Sequence, residues 1–324
     1  MRYFYTTLLL LFCLVPCFAQ ETESRLFVAP GRETFIHFPS QTLGDKYTLR
    51  VYLPQGDEVK NTRYPVIYVL GAQKDERDAL AAYLKTHRAI IVRMDSPAED
   101  LQRDAEKIIR FMAHELPVYI DTNYYTLSGA DRRILAAYGT AAGPVAAALW
   151  QKPDAFRHLA LFDAGGALNA VTKIPPHGRV NVTGKQGELD AAQRKLEALG
   201  AQFGTDFVLH YTPREMPAAG AVDLAYFEAA GAKLEVKKFT ALPAEKELPV
   251  RAGAEVPFAV WAVLKNGMQS AYVPQNLRMS PPVLEWDATR GMLRVLSGAE
   301  AGKIKVGGAY GKRKFKAVLK LKKP

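Results

Sequence analysis

Hydrophobic and polar positions follow two patterns along this chain, and the pattern changes near Lys237. In the first part, short apolar runs typical of buried strands alternate with stretches typical of helices. The pattern predicts a strand at Arg133–Tyr138, a helix at residues 144–151 with proline in its first turn, and a strand at His158–Phe162. Strands that alternate with helices predict a parallel sheet with right-handed crossovers, which places this part in the α/β class.

Beyond Lys237 the alternation of strands and helices stops, prolines become frequent, and short β-like runs follow one another to the C-terminus. This change predicts an α/β domain over residues 20–238, an exposed linker over residues 239–246 and a second domain over residues 247–324. The length and strand pattern of the second domain are typical of a small β-sandwich.

The first 19 residues have the features of a secretory signal peptide: a basic second residue, an apolar stretch, and small residues at the expected cleavage point. No later run approaches the ~20 apolar residues of a transmembrane helix. We therefore expect an exported protein, periplasmic or extracellular, with no transmembrane segment in the mature chain. Both cysteines, Cys13 and Cys17, lie in this leader, so the mature chain has none unless Cys17 carries a lipid.

Residues 139–143 read Gly-Thr-Ala-Ala-Gly, which is the spacing of the G-x-S-x-G nucleophile elbow of α/β-hydrolases. Gly139 and Gly143 stand at the flanking positions. Ala141 stands at the nucleophile position and has no atom that can attack a carbonyl. The spacing alone is a weak signal, but the predicted order of strand, turn and helix is the one that an elbow requires.

Four further segments resemble one family. Residues 43–54 resemble its opening strand, and residues 63–71 (RYPVIYVLG) resemble its YPVLYLLDG strand. Residues 115–124 (ELPVYIDTNY) resemble its ELIPYIDxxY helix, and residues 152–166 resemble its xxPDxFxxxxxxSG stretch. Across residues 33–237 the chain therefore resembles the putative-esterase family of α/β-hydrolases, which includes esterase D, ferric enterobactin esterase, feruloyl esterases and mycolyltransferases. The resemblance implies a mostly parallel sheet flanked by helices.

The resemblance also implies a carboxylate after the strand at residues 179–183 and a histidine after the last strand of the sheet. Glu188 and Asp190 are candidates for the acid, although Asp190 fits the first turn of the next helix, where a carboxylate favours the helix dipole. The turn expected to carry the histidine, residues 215–223, contains none. His210 lies too early, inside the preceding strand, where we expect a structural role. Loss of the nucleophile and the base together removes covalent acyl transfer.

Two other groups belong to the elbow. Thr140 is its only hydroxyl, and we expect its side chain to point away from the reacting centre. The amide of Ala142 is expected to face the former oxyanion site, where a carbonyl or carboxylate ligand could bind without reacting.

No other chemistry is predicted. The six histidines, at positions 37, 87, 114, 158, 177 and 210, show no metal-ligand spacing with one another or with cysteine. No phosphate-binding loop or dinucleotide fingerprint is present. We therefore expect neither a metal nor a cofactor.

The C-terminal part carries a second resemblance and most of the charge. Residues 249–260, 279–284, 291–296 and 301–308 resemble elements of bacterial Ig-like domains, which implies a spacer or adhesive module. The chain has a formal net charge of +10, and its last 24 residues contain nine basic residues and no acid. In the last predicted strand, apolar residues alternate with four lysines, namely Lys314, Lys316, Lys320 and Lys322.

Two interpretations of this lysine face stay open. Lysines on a solvated strand discourage association between sheet edges. They also suit adhesion to an anionic envelope polymer or lipid surface. Nucleic acid is not expected, because the chain is predicted to be exported and no nucleic-acid-binding fold is indicated.

Two functions remain. The first is an exported, non-catalytic esterase-like protein that binds carbohydrate or another envelope component. The alternative is an active carboxylesterase with a relocated serine, for which Ser96 and Ser128 are nearest to the presumed cleft.

Overall fold

The computed structural model describes residues 33–44, 47–54, 62–71, 83–95, 97–211, 222, 224–228 and 234–323. The predicted leader, including both cysteines, lies outside these residues. One sheet of eight strands forms the centre of the first part. In spatial order its strands are β1 (Glu33–His37), β2 (Thr48–Tyr52), β4 (Ile90–Asp95), β3 (Val66–Leu70), β5 (Arg133–Tyr138), β6 (His158–Phe162), β7 (Arg179–Gly184) and β8 (Phe207–Tyr211).

The sheet is parallel from β4 to β8 and antiparallel where β1 and β2 extend it at one edge. Every residue of β3, β6 and β7 is buried, because helices cover both faces of a parallel sheet. This arrangement confirms the predicted α/β class.

Helices connect and cover these strands. They are α1 (Ala98–Arg103), α2 (Ala105–His114), α3 (Leu116–Asn123), α4 (Gly139–Trp150), α5 (Gln186–Ala198) and α6 (Leu224–Glu228), with short 3-10 helices at Ala130–Arg132 and Gly165–Ala170. Helix α4 begins five residues before the predicted start at residue 144. Pro144 therefore lies inside the helix rather than in its first turn, and it lacks the N–H that would bond the carbonyl of Thr140.

The second part consists of two small sheets. One contains β10 (Glu247–Pro249), β17 (Arg313–Lys322), β16 (Gly302–Tyr310) and β13 (Arg278–Ser280) in spatial order. The other contains β12 (Gln269–Tyr272), β11 (Glu255–Leu264), β15 (Met292–Val295) and β14 (Leu284–Asp287), with β9 (Val236–Pro243) also paired to β11. All pairs are antiparallel except β10 with β17. The resemblance to Ig-like domains stays a prediction.

The linker predicted at residues 239–246 is not observed. Most of that segment belongs to β9, which pairs with β11 from Pro243 opposite Phe258 to Val236 opposite Leu264. Backbone hydrogen bonds to β11 stabilise the segment, and Pro243 fits because it lies at the end of the strand. The chain therefore enters the second part as a strand of one of its sheets.

A buried polar contact joins the two parts. The hydroxyl of Ser270 on β12 donates to the carbonyl of Leu209 on β8 at 3.1 Å and accepts the Leu209 N–H at 2.9 Å. The side chain of Gln193 on α5 forms two bonds to the backbone of Val273, at 2.8 and 2.9 Å. The edge strand β8 is thus capped by the second part rather than exposed.

Within the described part of the chain, no helix combines the length and the apolar character needed to cross a membrane.

Candidate functional site

The turn between β5 and α4 is the structural counterpart of a nucleophile elbow, and it lies two residues earlier than predicted. Strand β5 ends at Tyr138, and Gly139 follows immediately with a φ of 76°. Ala141 already lies in the first turn of α4. The residue at the sharp strand-to-helix turn is therefore Gly139 and not Ala141. The Gly-to-Gly spacing misled the prediction, because one of the two glycines is itself the turn residue.

Gly143 is required for packing rather than for the turn. A Cβ atom at this position would lie 2.9 Å from the Cβ of Ala167 and 3.0 Å from that of Ala164. A Cβ on Gly139, in contrast, would meet no atom within 4 Å. The space above the turn is open, and Gly139 places no side chain in it.

The end of β3 packs tightly against this turn. Gly71 has a φ of 72°, and a Cβ there would lie 2.5 Å from the carbonyl oxygen of Tyr138 and 2.6 Å from the Cβ of Ala142. In α/β-hydrolases the loop after this strand supplies one oxyanion donor. Here the residues that follow Gly71 lie outside the described part of the chain.

The shift of the elbow also changes the expected oxyanion donor. The donor is the amide of the residue after the nucleophile, which is Thr140 and not Ala142 when Gly139 occupies the turn. Ala142 is fully buried under β3. Thr140 is exposed and lines the neighbouring cleft, contrary to the expectation that its side chain points away.

A cleft of about 350 Å³ lies beside the turn, at the carboxyl ends of the parallel strands. Its walls are mostly small or apolar, and its polar side chains are those of Thr140, Asp163 and Glu188. The lining residues are Thr140, Pro144, Asp163, Ala164, Gly166, Ala167, Gly187, Glu188 and Ala191. This position is where ligands bind in open α/β sheets.

The two acidic residues of the cleft come from adjacent strand ends. Asp163 follows β6 with a φ of 49°, and its N–H donates to the carbonyl of Thr183 on β7 at 2.9 Å. Glu188 lies in the first turn of α5, just after β7, where the resemblance implies the acid. Burial raises the pKa of Glu188, and the negative charge of Asp163 raises it further. The Oε2 atom of Glu188 is buried without a hydrogen-bond partner among the described residues.

Asp190 does not belong to the cleft. It is the fifth residue of α5, beyond the helix start, and only 1% of it is exposed. Its carboxylate accepts from Gln275 at 3.0 Å and from Arg194 at 2.7 Å. Asp190 therefore joins the two parts of the protein, and the first-turn role predicted for it is wrong.

No histidine reaches the turn from the described residues. His210 lies inside β8, opposite Thr183, and three strand spacings separate β8 from β5. At ~4.8 Å per spacing, this is roughly 14 Å. No histidine follows His210 in the sequence. Of the segment predicted to carry the family histidine, residues 215–223, only Val222 belongs to the described residues.

His158 lies at the other end of the sheet, where β6 begins. Its Nε2 lies 3.2 Å from the carbonyl oxygen of Asp131, and its ring packs against Phe227. Burial, together with the charges of Arg179 and Arg157, lowers the pKa of His158 from 6.5 to about 4. The folded protein therefore holds this imidazole neutral.

This environment predicts a pH dependence of stability. The unfolded chain protonates His158 below pH 6.5 and the folded chain only near pH 4, so stability is complete above pH 6.5 and falls as the pH decreases toward 4. The loss from this group should reach about 3 kcal/mol. Urea unfolding at several pH values should show a shallower pH slope for His158→Gln. His114→Gln, a substitution of an exposed histidine, is the control, and an equal change of slope in both variants would contradict the assignment to His158.

Of the two candidate replacement serines, Ser128 does not reach the turn. Ser128 is exposed, but it precedes β5 and so lies near the opposite end of a strand of about 17 Å. Ser96 lies outside the described residues. Among the described residues, no group of three metal-ligating side chains is present.

Comparisons with known proteins add the following. No family model matches the chain, and no curated protein matches its sequence. Solved structures similar to it include a ferulic acid esterase from Anaeromyces mucronatus (13% identity, 61% of this chain and 88% of that chain, TM-score 0.43). An IroE-like serine hydrolase from Shewanella oneidensis has 16% identity over 61% of this chain and 78% of that chain, with a TM-score of 0.44.

The fluorophosphonate-binding serine hydrolase FphF from Staphylococcus aureus has 13% identity over 62% of this chain and 98% of that chain, with a TM-score of 0.44. The chain also matches 62% of the length of an uncharacterised protein from Capnocytophaga ochracea, with 18% identity over 61% of this chain and a TM-score of 0.43. Because the sequence identities and TM-scores of these matches are low, the fold assignment rests on the strand order of the chain's own sheet.

Proposed function

We propose that this protein is an exported, non-catalytic esterase-like protein that acts by binding. The proposal is carried by one observation, which is that a glycine, Gly139, occupies the turn after β5. In an elbow, the strained turn after the strand lifts the nucleophile's side chain above the sheet. Here the residue in that turn has no side chain, so no acyl intermediate can form on it.

The surroundings of Gly139 support the same conclusion. Glu188 stands where the acid of a triad is expected, but a triad carboxylate acts by orienting a histidine. His210 is roughly 14 Å away by strand spacing, and the sequence contains no later histidine. A carboxylate that lacks both a histidine base and a nucleophile cannot catalyse acyl transfer.

The cleft beside the turn still suits a ligand. Its volume of about 350 Å³ and its mostly apolar wall with three polar side chains are typical of small-molecule sites. A ligand held there would be bound and not turned over. The export part of the proposal is supported by the predicted leader at residues 1–19.

Labelling with a fluorophosphonate probe tests this proposal. The purified mature chain should neither react with the probe nor hydrolyse short-chain aryl esters above the buffer rate. The matched variant is Gly139→Ser, which adds a hydroxyl in open space at the turn and should label slowly because no histidine activates it. Stoichiometric labelling of the wild type, mapped to Ser96 or Ser128, would instead establish the alternative of an active carboxylesterase.

A further inference from the structure

The outer face of the sheet formed by β10, β17, β16 and β13 is strongly basic. All its basic side chains are exposed, while the alternate residues of β16 and β17 are mostly buried in the core. We call this surface the basic face. Its members are Arg278, Lys303, Lys305, Lys314, Lys316, Lys320 and Lys322. Three of these residues, on β13 and β16, extend the lysine face predicted from the last strand alone.

The strand register arranges these cations in two dimensions. Lys303 lies opposite Lys320, and Lys316 and Arg278 lie on either side of Gly307. Residues on one face repeat at ~7 Å along a strand, and neighbouring strands lie ~4.8 Å apart. Gly307 has no side chain, so nothing rises between Lys316 and Arg278. The basic face is therefore a broad patch rather than a single row.

Glu247 is the one acidic residue on the described strands of this sheet. It forms an ion pair with Lys322 and a longer one with Lys320, whose Nζ lies 3.9 Å from its Oε1. The hydrogen bond from Lys322 lowers the pKa of Glu247, which keeps this carboxylate charged. The other five cations form no ion pair among the described residues, so the positive charge is concentrated on the side of the face away from Glu247.

An apolar side chain lies within the basic face. Val318 is 52% exposed and stands opposite Lys305, with Lys316 and Lys320 two residues away on the same strand. Lysine stems can lie along an apolar surface while their ammonium groups reach outward. A linear polymer would contact one row of charges, whereas a lipid surface can contact the whole patch and accept the valine.

We propose that the basic face binds the surface of an anionic lipid membrane through its phosphate headgroups. The inference rests on the proposed function only for export, which would bring the chain to an envelope membrane. It does not depend on whether the elbow is catalytic, so the labelling test and the membrane test can fail independently.

Sedimentation with vesicles tests the proposal. The full mature chain should bind vesicles of phosphatidylglycerol mixed with phosphatidylcholine and should not bind phosphatidylcholine alone. Binding should be lost at about 0.5 M salt, where screening reduces the range of surface charge to a few Å. Lys303, Lys305, Lys314 and Lys316 all changed to glutamine should weaken binding at least about tenfold at low salt, since each lysine near an anionic surface contributes to affinity.

The matched control removes the same charge elsewhere. Lys107, Lys152, Lys173 and Lys238 are exposed and lie outside the basic face, and changing all four to glutamine should leave vesicle binding within about twofold. Equal losses in the two variants would show a general charge effect and overturn the proposal. Binding to soluble polyglutamate but not to vesicles would overturn it in favour of an anionic polymer. Circular dichroism of both variants checks that each remains folded.

Discussion

Replacing Gly71 by alanine should lower the free energy of unfolding by about 2–5 kcal/mol. The new Cβ would lie 2.5 Å from the carbonyl oxygen of Tyr138, a backbone atom that cannot turn away, and 2.6 Å from the Cβ of Ala142. The φ of 72° adds the cost of a left-handed conformation, about 1–2 kcal/mol, to an overpacking cost of about 1–3 kcal/mol. Urea unfolding of the full chain measures the difference.

Gly139→Ala is the matched control for this measurement. Gly139 has a similar φ of 76°, but a Cβ there meets no atom within 4 Å. Its cost should therefore be only the conformational one, about 1 kcal/mol. Similar losses for the two variants would mean that the end of β3 does not press against the turn as described.

The two glycines differ in how closely their neighbours pack around them. Gly71 is held in place by its neighbours, whereas the space above Gly139 imposes no such requirement. The packing of the elbow is thus preserved around a position that could accommodate a side chain.

Replacing Gln193 by leucine should lower the free energy of unfolding by about 3 kcal/mol. Gln193 is fully buried, and its side chain accepts the N–H of Val273 at 2.9 Å and donates to the Val273 carbonyl at 2.8 Å. Gln275 also donates to that carbonyl at 3.3 Å, so the main loss is the N–H left buried without an acceptor. A buried unsatisfied donor costs about 1–3 kcal/mol, in addition to the hydrogen bonds removed.

The control for this variant is Gln102→Leu, because Gln102 is exposed on α1. Its effect should stay within about 0.5 kcal/mol. If Gln193→Leu were as mild as this control, the contact between α5 and Val273, the residue after β12, would not be a stabilising one.

Local sequence pattern predicted the central elements well. The strands at Arg133–Tyr138 and His158–Phe162 occur as predicted, because a strand buried on both faces leaves a continuous apolar run. The turn between them was displaced by two residues. Pattern gives the order of strand, turn and helix, but it does not show which residue carries the positive φ when two glycines are available.

The predicted linker failed for a different reason. Strand β9 has one buried residue, Val236, at its start, so its sequence lacks the alternation that marks a half-buried strand. Its stability comes from hydrogen bonds to β11, whose residues lie further along the chain. Asp190 illustrates the same limit, because its partner Gln275 is 85 positions away. Neither contact can be predicted from the residues adjacent in sequence.

The bond between Ser270 and Leu209 has a consequence for how the protein is made. The two residues are 61 positions apart, so the edge of the large sheet is incomplete until the ribosome has added the residues of β12. Until then, the backbone groups along the edge of β8 can pair with another strand, as at any uncovered sheet edge.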